Sequence, residues 1–380
     1  MGVFIVVCWI LTVLYVLLMV AYIVGWKKQP EFRLPANYEP KTTITVIIPA
    51  RNESAHIGMC VSSVLQQNYP AHLLELIVVD DYSDDGTADV VRQFEDPRLK
   101  CLDLAHHLPR DKKINAYKKA ALAAGISRSN GELIVTTDAD CVVPNSWLLH
   151  IAAAYEQNQP AMIVAPVVFF ATGGLSRVFQ MIDFMGMQGI TAATHALNMG
   201  NMSNGANLAF TRKAYDAVQG YEGIDHLASG DDYLLMMKVS KLPLARIFYL
   251  KSKSATVTTL PQPNWMSFLR QRIRWASKSG KYDDKKITAT LLLVYLFNVA
   301  IVAAFATSIY NIHLFFLGAV MLGAKTIIEA IFMKPVVAFY DRKWTRPYFA
   351  FLQPLHIIYI VLAGFLGFVG KYEWKGRNVK

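Results

Sequence analysis

Acidic residues recur at the ends of apolar runs in this chain, and their spacing defines the chemistry available to it. Asp138-Ala139-Asp140 closes the run "ELIVTT". On an extended segment two residues at i and i+2 point to the same side. Such a carboxylate pair can hold a hard divalent cation, which in turn takes oxygen ligands of the diphosphate type. The same pair also reads as a cap at a turn. A second acidic stretch, "VVDDYSDDGT", ends another apolar run, with Asp80 or Asp81 able to accept hydrogen bonds from a base or ribose. There Gly86 permits a tight turn and Thr87 is expected as a helix N-cap. In "ASGDDYLL", Asp231 and Asp232 open an apolar helix, where acids also serve as N-terminal caps. "SNGANLAF" supplies small residues past which a backbone can approach a ligand closely. "QRIRWASK" is amphipathic and rich in Arg and Trp, as an interfacial helix should be.

The elements that must position these groups alternate in type. "ITVIIPA" (Ile44–Ala50), "LELIVVD" (Leu74–Asp80) and "GELIVTTDADC" (Gly131–Cys141) read as strands. "AHIGMCVSSVLQQ" (Ala55–Gln67), "TADVVRQFE" (Thr87–Glu95) and "YKKAALAAGI" (Tyr117–Ile126) read as helices. Continuous apolar strands alternating with helices predict a mostly parallel sheet covered on both faces. Ligands of such sheets sit at the carboxyl ends of the strands. Arg51, Asn52, Glu53, Asp80, Asp81, Asp138 and Asp140 all fall there.

Composition places this α/β unit at a membrane. Of the 380 residues, 54% are hydrophobic and only 17% charged, against about 25% charged in ordinary soluble domains. Val3–Val24 carries no charge and is long enough to span a bilayer, which takes about 20 residues. No basic residue precedes it, and Lys27, Lys28 and Arg33 follow, so an uncleaved anchor with the next domain on the cytoplasmic side is expected. Ile287–Tyr310, Leu314–Met333 and about Phe349–Val369 are further apolar runs, joined in part by the basic, aromatic linker "KPVVAFYDRKWTRP". An even number of spans puts both termini on the outer side, whereas the basic tail "KYEWKGRNVK" favours the inside. The last run is therefore spanning, re-entrant or interfacial. Lys325 and Glu329 stand mid-span at i, i+4, as a structural pair or as part of an acceptor path. The net charge of +10 gathers beside the apolar runs and in Arg270–Lys286, where an anionic leaflet attracts it. There is no nucleic-acid-binding motif, and no nucleic-acid partner is expected. Cys8, Cys60, Cys101 and Cys141 are scattered, with no CxxC pair, and read as reduced packing residues. His195 and Met199 read as packing, and His106–His107 lie in a polar loop.

Taken in order, "VIIPARNE", "IVVDDYSDDGT", "KKAALAAGI", "TTDADC", "NGANLAF", "GDDYLL" and "QRIRW" resemble the family-2 glycosyltransferases of GT-A fold. The resemblance is to the membrane-bound branch that includes cellulose, hyaluronan and ceramide-sugar synthases. It covers roughly Thr43 to Tyr282. It implies an inverting enzyme that uses a nucleotide-sugar donor with a lipid or saccharide acceptor. Pro49, Arg51 and Glu53 match the first nucleotide-contact segment, with Arg51 standing where a tyrosine is usual. Asp81, with Asp80, matches the acid that binds base or ribose, and Lys118 the lysine near the nucleotide. Asp138 and Asp140 match the metal-binding acids, Asp140 as the direct ligand of Mg2+ or Mn2+. Asp232 matches the general base, with Asp231 in place of the usual Glu. Gln271, Arg274 and Trp275 match the motif that closes over diphosphate and acceptor.

The implied chemistry is coherent. A carboxylate takes the proton of a weakly nucleophilic hydroxyl, and a divalent cation and the planar guanidinium of Arg274 offset charge on the leaving diphosphate. The expected organisation is an anchor at 1–26, a cytoplasmic GT-A domain at 42–260, an interfacial helix at 261–286, about three membrane segments at 287–370 and a basic tail at 371–380. A processive polysaccharide synthase, with or without an export partner, and a non-catalytic scaffold that binds nucleotide-sugar are the alternatives. Three C-terminal spans are few for a polymer channel, which favours single transfer. A dehydrogenase is excluded by the missing G-x-G-x-x-G. A metal-dependent phosphotransferase would not need "QRIRW" before a span.

Overall fold

A computed structural model describes residues 1–108, 115–170, 173–200, 202–227, 230–277 and 284–369, together with the short segments 372–374 and 377–379. Ala228 and Ser229 of the second acidic helix motif, Lys278–Asp283 of the basic segment and the side chains of the C-terminal tail lie outside the described residues. The chain forms two compact units. One comprises 1–29, 171–201 and 261–378, and the other 30–170 and 202–260 with the last two residues.

The second unit is built on a seven-stranded sheet. Its strands are β1 (Ile44–Ala50), β2 (Leu74–Asp80), β3 (Leu99–Asp103), β4 (Leu133–Thr136), β5 (Met162–Val164), β7 (Leu208–Thr211) and β8 (Ile247–Tyr249), in the spatial order β3-β2-β1-β4-β7-β5-β8. β6 (Val167–Phe169) pairs with β9 (Val257–Thr259) in a separate two-stranded ladder. β1, β2 and β4 are buried along almost their whole length, as continuous apolar strands covered on both faces require. β1 lies parallel to β2 and β4 and β2 parallel to β3, while β7 runs antiparallel to β4 and β5. The predicted mostly parallel α/β sheet is thus present, with one reversed strand.

That reversal has a consequence for function. Thr136, the last residue of β4, pairs with Leu208, the first of β7. The segment that enters β7 therefore sits where the parallel strands end. The register Ala50↔Asp80 and Ile47↔Thr136 brings the carboxyl ends of β1, β2 and β4 to the same edge.

Two local expectations are corrected. β4 ends at Thr136, so Asp138-Ala139-Asp140 lies in a turn beyond the strand, closed by the Cys141 amide donating to the Asp138 carbonyl at 3.1 Å, rather than on extended chain. Thr87 is not the N-cap of its helix. Gly86 takes that place at φ +86°, and Thr87 is the first helical residue. The capping acceptor is Asp85, which takes the Thr87 amide at 3.0 Å and the Thr87 hydroxyl at 2.5 Å. A carboxylate accepts these two donors better than a hydroxyl can, which explains the shift of one residue.

The first unit is helical. Gly2–Lys28, Lys285–Thr307, Ile312–Phe339 and Lys343–Phe368 are long and apolar enough to cross a membrane. Val3, Leu17, Phe316, Phe351 and Phe365 are among the large apolar side chains they leave exposed, an arrangement suited to lipid and unfavourable in water. The helix Ile312–Phe339 continues through Pro335, so the linker expected from Lys334 onward is mostly helical. Lys325 and Glu329 are paired as anticipated, Nζ to Oε1 at 2.5 Å. Gln353 donates to Glu329 at 2.7 Å, the Lys325 ammonium reaches Gln353 at 3.2 Å, and the Tyr15 hydroxyl also bonds Glu329. The carboxylate and ammonium thus satisfy one another inside the bundle, which makes a buried charge tolerable. Two further helices complete the unit: Leu175–Leu197 and the amphipathic Trp265–Ala276.

Candidate active site

The sheet unit gathers its acids around one lysine. Lys118 lies in the first turn of the helix Tyr117–Ser127. Its Nζ stands 2.7 Å from Asp138 Oδ1 and 3.2 Å from Asp231 Oδ2. Burial opposes its charge, but Asp138 and Asp231, with Asp232 further off, more than offset this and hold the ammonium protonated well above its usual range. The neighbouring Lys119 points elsewhere, donating to the carbonyls of Ile224 at 2.7 Å and Leu227 at 2.6 Å. Helical geometry sends adjacent side chains in different directions, so only the first lysine of "KK" faces the acids.

Asp231 and Asp232 open the helix Asp231–Ser240 behind Gly230, whose φ is +78°. Asp232 Oδ2 accepts the Gly205 amide at 3.1 Å and Oδ1 accepts the Tyr233 amide at 2.7 Å. Both oxygens are thus oriented by main chain, whereas Asp231 is tied to Lys118. Gly205 belongs to the 3-10 turn Gly205–Asn207 that leads into β7. A Cβ there would stand 3.1 Å from Asp231 Oδ2, 3.5 Å from Lys118 Nζ and 3.6 Å from Asp232 Cβ. The small residue thus lets the main chain approach the acids themselves. Gly205→Ala is expected to push Asp231 aside by a few tenths of an ångström and to lower activity about tenfold; steady-state turnover beside thermal unfolding checks this. Asn207 is fully buried and fixes the turn. It donates to the carbonyls of Pro166 at 2.8 Å and Ala255 at 2.7 Å and accepts from the Trp147 indole at 2.9 Å. Sequence reasoning read "NGAN" only as small residues. The pairing of an orienting glycine with a buried amide depends on the reversed strand β7, which no local pattern announces.

A second cluster lies at the ends of β1 and β2. Asp80 is buried, with Oδ2 accepting the Ser83 amide at 3.1 Å while Oδ1 has no hydrogen-bond partner among the described residues. A buried carboxylate oxygen without a donor is costly and invites a ligand N–H or O–H. Asp81 is also buried, and its amide donates to the Ala50 carbonyl at 2.7 Å. Arg51 Nη1 donates to the carbonyls of Asp81 at 2.7 Å and Tyr82 at 3.2 Å. The arginine that replaces an expected aromatic thus straps the loop after β2. Both loops are tightly turned, with Asn52 at φ +50° and Tyr82 at φ +53°, a region that non-glycine residues rarely adopt. Glu53 is placed by its amide, which donates to the Thr87 hydroxyl at 2.8 Å, and its carboxylate reaches His56 at 3.2 Å. Pro49 is a strand residue paired with Val79.

For a hard divalent cation the donor chemistry fits. Asp138 and Asp140 are carboxylates in one turn, and the thiols beside them do not compete. Burial and the nearby Asp140 and Asp138 push the Cys60 and Cys141 thiols up, so both stay protonated at neutral pH. All four cysteines are free, as expected. Among the described residues no group of three or more His, Cys, Asp and Glu side chains is placed to hold an ion unaided. Lys118→Met would leave Asp138 and Asp231 without their shared cation. A loss of about 2 kcal/mol is expected, together with a large loss of turnover. Chemical denaturation and donor titration would separate the two effects.

Gln271, Arg274 and Trp275 belong to the helical unit, on Trp265–Ala276. Between them Arg272, buried at 3% exposure, pairs with Asp183 at 2.6 Å. Its guanidinium carbon lies 4.2 Å from the Trp275 ring centroid and 4.7 Å from that of Phe268. Burial acts against the Asp183 carboxylate, but Arg272 and His356 outweigh it and hold the carboxyl below its usual range. Neither Asp183 nor Arg272 was singled out from the sequence. A lone acid within an apolar helical stretch was the available signal.

An α/β unit with a reversed strand and an acidic edge, carried with long apolar helices, defines a GT-A-like glycosyl-transferring enzyme. The sequence comparisons agree. The model described as "Glycosyl transferase family 2" matches residues 45–216, and that described as "Glycosyl transferase family group 2" matches residues 133–370, more than half of the chain. The chain belongs to the family-2 glycosyltransferases. Among curated relatives, glycosyltransferase AglE of Haloferax volcanii is 28% identical over 189 residues, which is 50% of this chain and 58% of that protein. The probable glycosyltransferase YdaM of Bacillus subtilis is 25% identical, covering 80% and 70%. Beta-monoglucosyldiacylglycerol synthase of Trichormus variabilis is 23% identical, covering 64% and 52%. The chain thus spans between about half and 70% of the length of these relatives. Among solved structures, a mannosyltransferase of Pyrobaculum calidifontis, in complex with GDP-Man and Mn2+, shares the fold. Its TM-score is 0.56 at 18% identity, covering 96% of this chain and 97% of that one.

Proposed function

We propose that the protein transfers one sugar from a nucleoside-diphosphate sugar to a lipid or saccharide hydroxyl, with inversion, at the cytoplasmic face of a membrane in which its long apolar helices are embedded. The observation that carries this reading is the cluster of Lys118, Asp138, Asp231 and Asp232 around Gly205. It provides a fixed carboxylate with nearby positive charge at the carboxyl edge of the sheet, where ligands of such folds bind.

The roles follow from chemistry. Asp232, held by two main-chain amides, accepts the proton of the attacking hydroxyl as the new bond forms at the anomeric carbon. Asp231 holds Lys118, and the ammonium counters the negative charge of Asp138 beside the donor phosphates. Asp80 offers its unpartnered Oδ1 to a ribose hydroxyl or base N–H, with Asp81 beside it and the loop kept in shape by Arg51. Pro49 and Glu53 line the same strand end. Asp138 and Asp140 would hold Mg2+ or Mn2+, with the remaining donors supplied by diphosphate and water. A bound cation there supplies charge stabilisation to the leaving diphosphate. Gln271 and Arg274 engage the diphosphate, and Trp275 walls the acceptor. The mannosyltransferase complex with GDP-Man and Mn2+ supports a nucleotide-sugar and a divalent cation as ligands, and the glucosyldiacylglycerol synthase supports a lipid acceptor.

The stereochemistry tests the mechanism. A single displacement by the acceptor hydroxyl gives a β-linked product from an α-linked donor. Proton NMR of the product should show the inverted anomer alone. A retained anomer would reject Asp232 as base in a one-step transfer.

A further inference from the structure

In the helical unit a buried ion pair is built around the indole of Trp275, and its geometry is costly for a purely structural device. Asp183, on Leu175–Leu197, meets Arg272 through one short contact, Oδ2 to Nη2 at 2.6 Å. The other two guanidinium nitrogens, Nε and Nη1, are buried without a hydrogen-bond partner among the described residues. Two rings lie against the guanidinium carbon instead, the Trp275 centroid at 4.2 Å and that of Phe268 at 4.7 Å. The same helix adds Phe184, whose ring lies 6.3 Å from that of Trp275. Asp183 is fixed from its other side by His356, Nε2 to Oδ1 at 3.5 Å. The His356 Nδ1 faces the Lys325 ammonium at 3.4 Å.

An apolar pair of equal volume often serves stability as well as a buried ion pair does. A stacked guanidinium, by contrast, fixes the orientation of the ring it covers, which a lysine in the same place cannot do. We propose that Asp183 is a positioning residue that, through Arg272, locks the Trp275 indole in the orientation used against the acceptor. The inference rests on the reading of Trp275 given above, and its test keeps the two apart.

The protein would be labelled with 5-fluorotryptophan in detergent, and the Trp275 resonance assigned by Trp275→Phe. Asp183→Asn and Arg272→Lys should each move or split that resonance and leave those of the other tryptophans in place. Asp183→Glu should restore the single line. Donor affinity should stay within about twofold, while turnover with the active nucleotide-sugar falls about tenfold, as expected for a misplaced wall of an active site. Arg272→Lys keeps the charge and so guards against an unfolded Asp183→Asn. An unmoved Trp275 resonance in both variants would overturn the inference. Unchanged turnover in Trp275→Ala would instead overturn the reading of Trp275 and leave the positioning result to stand or fall on the resonance.

Discussion

Replacement of Asp232 by Asn should lower sugar transfer about 10²–10⁴-fold, the range supplied by a positioned general base, while nucleotide-sugar binding remains near wild type. Both oxygens of Asp232 accept main-chain amides, from Gly205 at 3.1 Å and Tyr233 at 2.7 Å. The carboxylate is therefore held in place for the proposed role of base. The carboxamide has nearly the same shape and cannot take that proton. It also sets an NH2 against one of the two amides, a local cost of about 1–3 kcal/mol, so unfolding should be followed in parallel. Asp231→Asn is the instructive comparison. It removes a partner of Lys118, whose Nζ lies 3.2 Å away, and should weaken donor binding along with turnover. Single-turnover rates measured beside donor affinity separate the two patterns. Wild-type turnover in Asp232→Asn would remove it from the role of base.

The second large effect concerns Asp140. Asp140→Ala should reduce cation-dependent binding of the nucleoside diphosphate at least about 100-fold, since loss of even an outer-shell partner of a metal ligand typically costs 10–100-fold. Asp140 and Asp138 stand in one turn, but one oxygen of Asp138 is already engaged by Lys118 at 2.7 Å. The family resemblance gives direct coordination to Asp140, whose Oδ1 accepts the Cys141 thiol at 3.7 Å. Titration calorimetry with nucleoside diphosphate and Mn2+ decides the matter. Equal affinity in the variant, with and without the cation, would mean that the acidic turn plays another part.

Much of this was legible because parallel strands with two covered faces are written as unbroken apolar runs. β1 and β2 begin and end where their sequence patterns do, at Ile44–Ala50 and Leu74–Asp80. The four long apolar helices are likewise visible as composition. The acids announced themselves by following those runs. Their arrangement did not. That Asp138 and Asp140 sit past the last paired residue, Thr136, was not visible, because an acidic turn and a strand end look alike in sequence. The approach of Gly205 to Asp231 and Lys118 depends on the antiparallel entry of β7, a long-range pairing with no local signature. Thr87 lost the N-cap position to Gly86, because the Asp85 carboxylate takes both the Thr87 amide and the Thr87 hydroxyl. The pairing of Asp183 with Arg272 joins residues far apart in the chain. Arg272 was hidden inside a motif whose other positions drew attention.

The proposed function requires a carboxylate edge that processes a nucleotide-sugar. The most direct test incubates detergent-purified full-length protein with a panel of nucleotide-sugars and Mg2+ or Mn2+, adds vesicles of membrane lipid, and follows release of nucleoside diphosphate. The expected result is release from one donor that is lost on chelation and in Asp232→Asn. Folded protein that binds none of the donors would contradict it, as would release that persists unchanged in Asp232→Asn.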